Sequence, residues 1–367
     1  MTSTHVQEQH RRLILFGSTW DWRETHWRLP LLETMIFAVF VAGAIAAGLE
    51  RYALTIGMTA AFVGLVGGAR PSERQGRSLL LAALFMTIDA TLGAAFAPLG
   101  VWVFLPLMLI GLIGGYVGAI GPRWVVIGTA SMAQFAIQSG QPQPPGAVLD
   151  VALVVGISGF ALVAIVMAPI ILLRPQRVGA PGDFDVPPLQ RLRLHLHRRD
   201  PFLRHAIRLA IALAIGSLLS RVDGLPHGFW IPLTLIFVLQ PDRSGTVHHV
   251  AERILGTLLG VAVMVAYVKT LHPTPYALVI TFALGALVMS ALSAVNYSLT
   301  VFGITLGLLS GLAIKGEAID VLAEARIGAT LIAGALAIAA AFIGSTRIDP
   351  VPLASASDAM GRQGIEP

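Results

Sequence analysis

Cysteine is absent from this chain of 367 residues, and charged residues are scarce. The lack of cysteine excludes disulfides, thiolate metal centres and cysteine nucleophiles. Charged residues make up 12% of the chain and hydrophobic residues 55%, whereas a soluble globular protein has about 25% charged residues. These proportions exclude a single water-soluble domain and a disordered or fibrous chain. They indicate an integral membrane protein.

Lysine is almost absent, since Lys269 and Lys315 are the only two among 25 basic residues. The net charge of +5 does not indicate nucleic acid here, because basic residues in a membrane chain mostly set its orientation. No G-x-S-x-G, P-loop or H-E-x-x-H motif occurs. We therefore expect no enzyme activity, no ATP, no cofactor and no metal site.

Long apolar runs fill most of the chain. A spanning helix needs about 20 apolar residues, and the runs predict an all-α polytopic membrane protein with about twelve transmembrane helices. The predicted spans are 32–49, 52–69, 78–97, 101–120, 124–139, 147–173, 205–220, 228–240, 252–269, 275–293, 296–314 and 319–344.

Basic residues outside these spans are distributed unevenly between the two sides of the membrane. Eighteen lie on the side of the N-terminus, and the opposite side has four, namely Arg51, Arg221, Lys269 and Lys315. Cytoplasmic loops carry the excess of basic residues. The sequence therefore predicts a multi-pass protein of the bacterial inner membrane with both termini in the cytoplasm.

The chain divides into two halves of six predicted spans. The expected regions are a cytoplasmic segment 1–27, a membrane repeat 28–174, a cytoplasmic linker 175–203, a second membrane repeat 204–346 and a cytoplasmic tail 347–367. Asp150 and Asp320 each begin the last span of a half, one repeat apart. Six spans per half is an even number, so both halves enter from the cytoplasm. The repeats are therefore predicted to be parallel, with a pathway between them.

The N-terminal segment 1–27 contains half of the six tryptophans. Phe16, Trp20 and Trp27 follow helical spacing with charges between them. This pattern predicts an interfacial helix on the cytoplasmic leaflet, or alternatively an aromatic anchor without a further role.

One part of the second half has a distinctive pattern. Residues 229–234 read FWIPLT, residues 238–243 read VLQPDR, and residues 253–260 read RILGTLLG. Thr246 lies between the last two runs, and Arg326, Thr330 and Gly334 follow in the last span.

This pattern resembles the FUSC family of fusaric acid resistance and aromatic acid exporter proteins, strongly over 204–346 and more weakly over 28–174. The resemblance implies export of small organic anions, often aromatic carboxylates, from the cytoplasm, with a periplasmic adaptor as a further partner besides membrane lipid. Related plant malate channels are six-span dimers with an axial pore, which fits two fused repeats. Many relatives carry a large cytosolic domain, whereas this chain has only a short linker.

Charges within predicted spans point to the pathway. A charged group at the centre of a spanning helix costs at least about 2.5–3.5 kcal/mol, so it usually has a partner or a wet cavity. Arg326 lies inside the last span, and Arg253 and Arg77 lie at the cytoplasmic mouths of the ninth and third spans. Arginine can hold a carboxylate with two hydrogen bonds. These arginines predict an anion path, and the alternative is a structural pair of Arg326 with Glu324 or an aspartate.

Further residues are assigned to the same pathway with alternatives left open. Trp230 is expected to stack an aromatic substrate or to be an interfacial anchor, and Thr257 and Glu324 are also assigned to the pathway. Asp89, in the middle of the third span, and Glu324 are candidates for proton coupling, although Asp89 could serve only as a hydrogen-bond acceptor.

Pro241 and Asp242 are expected to form a turn, with Thr246 as the cap of the next helix. The rival hypotheses for the whole chain are an anion channel without proton coupling and a membrane scaffold or assembly subunit that transports nothing.

Overall fold

The structure is a computed structural model that describes residues 13–15, 18–20, 27–67, 73–141, 144, 146–173, 190, 192–193, 201–221, 225–293 and 295–343. The tail 347–367 and most of the linker 175–203 lie outside these residues.

Twelve α-helices make up nearly all of the described residues, which confirms the all-α class. In the first half they are α1 Arg28–Ala46, α2 Ala53–Gly67, α3 Glu73–Phe96, α4 Phe104–Val117, α5 Pro122–Gly140 and α6 Ala147–Leu173. In the second half they are α7 Pro201–Leu219, α8 Trp230–Val238, α9 Arg243–Leu271, α10 Pro275–Leu292, α11 Tyr297–Ala313 and α12 Ile319–Phe342. Short 3₁₀ turns cover Glu50–Tyr52, Ala97–Val103 and Gly118–Ile120.

Within the described residues, six helical stretches are long and apolar enough to cross a membrane. They are Gly76–Ile120, Ala147–Ala168, Pro201–Leu219, Arg243–Leu271, Pro275–Leu292 and Ile319–Phe342. The first contains two predicted spans, which separate at Gly100, where φ is +59° and the backbone leaves the helical conformation. Pro30–Ala46 and Tyr297–Ala313 are apolar but shorter.

The outer surface of the helices is apolar, as expected for contact with lipid. On α3 the exposed residues Leu80, Leu84, Ile88 and Leu92 recur every four positions, which places them on one helical face. An exposed apolar stripe of this kind is typical of a surface that contacts lipid or another protein. The chain is a multi-pass membrane protein.

Helix packing follows a similar pattern in the two halves. In the first half α3 packs against α5 and α6, and in the second half α9 packs against α11 and α12. Between the halves α4 packs against α7 and α10 against α1, while α5 packs against α8 and α11 against α2. Buried residues of both halves, among them Phe62, Phe135 and Trp230, form one continuous core.

Small residues allow neighbouring helices to approach closely. A Cβ atom added at Gly285 of α10 would lie 2.6 Å from the carbonyl oxygen of Gly303 on α11. The absence of this Cβ atom lets the two helix backbones pack closely, which a larger side chain would prevent.

The N-terminal segment differs from the interfacial helix expected there. Leu13–Leu15 and Ser18–Trp20 pair as two antiparallel strands, so Trp20 lies in a strand and not in a helix. Ile14, Thr19 and Trp20 are β-branched or aromatic residues, which favour a strand. Phe16 lies outside the described residues, and Trp27 immediately precedes α1.

Candidate functional site

Two buried arginines meet inside the second half. Arg253 on α9 is 1% exposed and Arg326 on α12 is 0% exposed, and their like charges repel each other. The Arg253 Nη1 atom donates a hydrogen bond to the Tyr297 hydroxyl at 3.2 Å. The guanidinium carbon of Arg253 lies 5.4 Å from the ring centre of Phe237, and that of Arg326 lies 5.5 Å from the indole of Trp230. Helices α8, α9, α11 and α12 therefore enclose the two charges.

Most of the guanidinium nitrogens have no partner among the described residues. All three nitrogens of Arg326 lack a hydrogen bond, as do Nε and Nη2 of Arg253. The ion pairs of the described part of the chain include neither arginine. Burying a charge costs several kcal/mol (about 3–5 kcal/mol when a partner is removed) unless another group compensates it. The site therefore calls for a negatively charged group that this part of the chain does not supply.

One more buried donor without a partner lies beside the arginines. The Trp230 indole nitrogen is buried without a partner, and an indole N–H can only donate. The Thr330 hydroxyl donates to the carbonyl oxygen of Arg326 at 2.8 Å and lies 3.5 Å from the Thr257 hydroxyl. A carboxylate only accepts hydrogen bonds, so it matches this surplus of donors.

Glycines of the RILGTLLG run bring α9 close to α11. A Cβ atom at Gly260 would lie 2.8 Å from the Cβ of Thr305. Gly256 and Gly260 follow Arg253 by three and seven residues and share its helical face. Because the helices touch along this face, Tyr297 at the start of α11 reaches Arg253.

The turn before α9 is held by a capping network. Asp242 is the N-cap of α9, and its carboxylate accepts hydrogen bonds from the Gly245 N–H at 2.6 Å and the Ser244 hydroxyl at 2.8 Å. Thr246, expected as the cap, instead accepts a hydrogen bond from the Gln240 N–H at 3.0 Å. The Gly245 N–H holds the pKa of Asp242 below its usual value, because a hydrogen bond to the carboxylate favours its charged form.

Arg208 of α7 closes the same turn from the other side. Its Nη2 atom donates to the carbonyl oxygens of Gln240 at 3.1 Å and Pro241 at 2.6 Å. These carbonyls follow the end of α8 and have no intrahelical partner. Arg208 therefore has a structural role at this turn, although its Nε and Nη1 atoms have no hydrogen bond among the described residues.

Two of the residues assigned to the pathway lie away from the arginine pair. Arg77 and Glu324 are exposed. Arg77 lies four residues after the start of α3, whereas Arg253 lies ten residues after the start of α9, so the two arginines have different surroundings. Glu324 precedes Arg326 by two residues, and residues with that spacing do not share a helical face. The expected Glu324–Arg326 pair is absent from the described ion pairs.

Asp89 lies in a separate cavity of about 490 Å³ among α3, α4 and α5. Its carboxylate accepts a hydrogen bond of 2.5 Å from the Ser131 hydroxyl. The walls include Phe85, Phe96 and Trp124, so the carboxylate is the exception in an apolar surrounding. Both roles considered for Asp89 remain compatible with this position.

Several residues of the site were not predicted from the sequence. Tyr297 and Phe237 contact Arg253 only because distant segments fold together. Arg208 could have been suspected because it is a charge in a predicted span. Glu33 on α1 is buried and accepts a hydrogen bond of 3.3 Å from Ser290 on α10. Its position at the start of the predicted span 32–49 did not indicate that it is buried.

Comparison with known proteins gives one family and several bacterial relatives. Residues 211–340 match the family described as fusaric acid resistance protein-like. An uncharacterized protein of Synechocystis is 35% identical over 187 residues, which is 47% of this chain and 24% of that protein. The inner membrane protein YccS of Escherichia coli is 36% identical over 153 residues, or 41% of this chain and 21% of YccS.

The chain spans about a quarter of the length of these two relatives. An uncharacterized protein of Neisseria gonorrhoeae is 33% identical over 153 residues, which is 36% of its length. No solved structure matches the chain.

Proposed function

We propose that the chain, in which residues 211–340 match the fusaric acid resistance protein-like family, exports small organic anions across the bacterial inner membrane. Aromatic carboxylates are the proposed substrate class. Arg253 and Arg326 form the proposed internal anion site, with Trp230 beside the substrate and Thr257 at its edge. The termini are proposed to face the cytoplasm, since eighteen basic residues lie on that side and four on the other.

The unpaired donors around Arg326 carry this proposal. Its guanidinium group is fully buried and has no hydrogen bond in the described part of the chain. A bound carboxylate would supply both charge and acceptors, and hydrogen bonds to charged groups contribute about 1.5–3 kcal/mol. The indole of Trp230, 5.5 Å from Arg326, offers a flat apolar surface for an aromatic ring.

Two parallel six-helix repeats are the proposed architecture. A twofold relation predicts that contacts between the halves occur in pairs, as α4–α7 does with α10–α1 and α5–α8 does with α11–α2. The packing of α2 against α10 departs from this relation, since α8 and α4 make no comparable contact. Helices α3 and α9 also begin 170 residues apart, the same interval as between Asp150 and Asp320. These correspondences support the proposal of twelve spans.

The two halves would contribute unequally to the anion path. The positions 170 residues before Arg253 and Arg326 are occupied by Ala83 and Gly156, so the first half has no counterpart of the pair. Helix α8 contacts both arginines and also packs against α5 of the first half. The proposed anion site therefore borders the seam between the halves, on the side of the second.

Export of an anion needs no ATP in this account. A potential that is negative inside favours exit of a monovalent anion by about 2.3 kcal/mol per 100 mV. A selective channel would already export under this force, and a transporter would add proton coupling, for which Asp89 is the better placed candidate because Glu324 is exposed.

The test is the efflux of radiolabelled benzoate from liposomes that contain the purified chain. We expect efflux well above that of protein-free liposomes, and faster when the inside is made negative. Efflux that follows voltage alone would identify a channel, and efflux that also follows an imposed pH gradient would identify a coupled transporter. No efflux above protein-free liposomes would refute the proposal in favour of the scaffold alternative.

A further inference from the structure

A second cavity, distinct from the arginine pair, opens at the ends of α5, α7 and α11. It has a volume of about 450 Å³, which is within the range of small-molecule sites. Both halves contribute to its wall, and the residues that matter here are Gln141, Arg221, His227, Phe229, Lys315 and Glu317. By the charge distribution of the loops this is the extracytoplasmic end of the chain.

Neither of the two positive charges in this cavity forms a salt bridge within the described residues, although Glu317 attracts Lys315 electrostatically. The Lys315 Nζ atom has one long hydrogen bond, 3.5 Å, to the Gln141 side-chain oxygen. Arg221 donates from Nη2 to the carbonyl oxygen of Ser139 at 2.9 Å. The carboxylate of Glu317 is engaged elsewhere, since it lies 2.6 Å from the Nε2 atom of His227.

Burial disfavours the charged forms of Lys315 and Arg221. It lowers the pKa of both Lys315 and Arg221, because removal from water disfavours the charged form. An anion in the cavity would reverse this effect by favouring the charged form. Phe229 and nearby leucines supply apolar wall beside the charges, a combination suited to a carboxylate with an apolar body.

The floor of the cavity connects to the arginine pair through stacked rings. The His227 ring lies 4.8 Å from the Trp230 ring at an angle of 21°, and Trp230 is in turn 5.5 Å from Arg326. His227 has a φ of +54°, which is uncommon for a residue with a side chain. Its contacts with Glu317 and Trp230 hold it in that conformation.

We propose that this cavity is a second, extracytoplasmic binding site for small organic carboxylates, in which Lys315 and Arg221 hold the carboxylate. The stacked rings of His227 and Trp230 separate it from Arg326. This inference rests on the proposed export function, in which it is the last site that the anion occupies before release.

Amine labelling of the purified full-length chain in detergent tests the inference directly, because the chain has only two lysines. Lys269, paired with Asp320 at 2.7 Å on the exposed surface, is the internal control. Benzoate is the probe and uncharged benzamide the control ligand. The extent of modification at each lysine is read by peptide mass spectrometry.

We expect benzoate to protect Lys315 and to leave Lys269 unchanged. At about three times the dissociation constant the labelling rate should fall about fourfold, since the free fraction of a site is 1/(1 + [L]/Kd). Equal labelling of Lys315 with and without benzoate would overturn the inference, and so would equal protection by benzamide.

Equilibrium dialysis of radiolabelled benzoate provides a second measurement that does not need a reactive lysine. We expect Lys315→Gln to bind less benzoate per chain than Lys269→Gln, and equal binding would overturn the inference. Protection and efflux measured together in the wild-type chain separate the two proposals. Protection of Lys315 without efflux would leave the outer site standing and refute export, whereas efflux without protection would do the reverse.

Discussion

Arg326 and Trp230 are in contact inside the second half, with the guanidinium carbon 5.5 Å from the indole centre and both side chains fully buried. A cation–π contact of this kind contributes about 0.5–2 kcal/mol, while the desolvation of a buried charge costs several kcal/mol. The indole therefore cannot compensate the charge by itself. A bound anion would supply the remaining stabilisation that the buried charge of Arg326 requires.

Replacement of Arg326 should not destabilise the unliganded protein. We expect Arg326→Met to leave the free energy of unfolding unchanged or to raise it by about 1–4 kcal/mol, because an apolar side chain of similar size removes an uncompensated charge. Arg208→Met is the control, since it loses two charge-assisted hydrogen bonds and should cost about 1.5–3 kcal/mol. Thermal unfolding in detergent gives both values.

Arg326 would instead be half of a structural ion pair if Arg326→Met lowered stability by about 3–5 kcal/mol, as the breaking of such a pair does. That result would contradict the anion site.

Benzoate should stabilise the wild-type chain against heat. Binding to the folded state alone adds RT ln(1 + [L]/Kd), about 2.7 kcal/mol at one hundred times Kd. The melting temperature should therefore rise with benzoate concentration, and much less so in the Arg253→Gln, Arg326→Gln double variant. An equal rise of the melting temperature in the two chains would show that the stabilising benzoate binds outside the arginine pair.

The sequence predicted the helices well because apolar length is a local property. The apolar run 147–173 coincides with α6, Ala147–Leu173, and the run 275–293 with α10, Pro275–Leu292. The interfacial helix was wrong for the described N-terminal residues, because spacing of aromatic residues does not distinguish a helix from a short hairpin such as Leu13–Leu15 with Ser18–Trp20.

The site was predictable only in part, because burial and partners depend on contacts between distant segments. A charge within an apolar run pointed to Arg326, yet its nearest acidic neighbour in sequence, Glu324, is exposed. Arg253 was expected at the membrane mouth and is instead almost fully buried. Tyr297, 44 residues after Arg253, becomes its hydrogen-bond partner only when α9 and α11 pack together.

The Asp242 cap should make stability depend on pH in the acid range. A carboxyl group whose pKa is lower in the folded state stabilises the protein above its unfolded pKa and loses that contribution as the pH falls through the folded value. Hydrogen bonding from Gly245 lowers the pKa of Asp242, so its contribution is present at pH 7 and declines below about pH 3.9.

Substitution of this residue isolates the effect. Asp242→Ala should cost about 0.5–2 kcal/mol at pH 7, the usual value of an N-cap. Asp242→Asn keeps a capping oxygen, so it should cost less and should lose less stability on acidification than the wild type. Urea unfolding at several pH values measures both, and identical acid sensitivity of wild type and Asp242→Asn would contradict the role of the carboxylate.

Benzoate efflux driven by a pH gradient should depend on Asp89. Its carboxylate lies in an apolar cavity and accepts a hydrogen bond from Ser131. We expect Asp89→Asn to abolish benzoate efflux driven by a pH gradient while efflux driven by voltage persists. Glu324→Gln is the matched control, since Glu324 is exposed and should be dispensable. Unchanged pH-driven efflux in Asp89→Asn would contradict a role of Asp89 in proton coupling.

Benzoate efflux from liposomes that contain Arg326→Gln, relative to Arg51→Gln, tests the central claim most directly. Arg51 is 60% exposed in a surface pair with Asp150 at 3.4 Å, so its removal takes away a positive charge without touching the buried site. We predict a loss of about 10- to 100-fold in Arg326→Gln, because charged hydrogen bonds contribute about 1.5–3 kcal/mol and each 1.4 kcal/mol is tenfold. Arg51→Gln should keep nearly the wild-type rate. Equal efflux through the two variants would contradict the account.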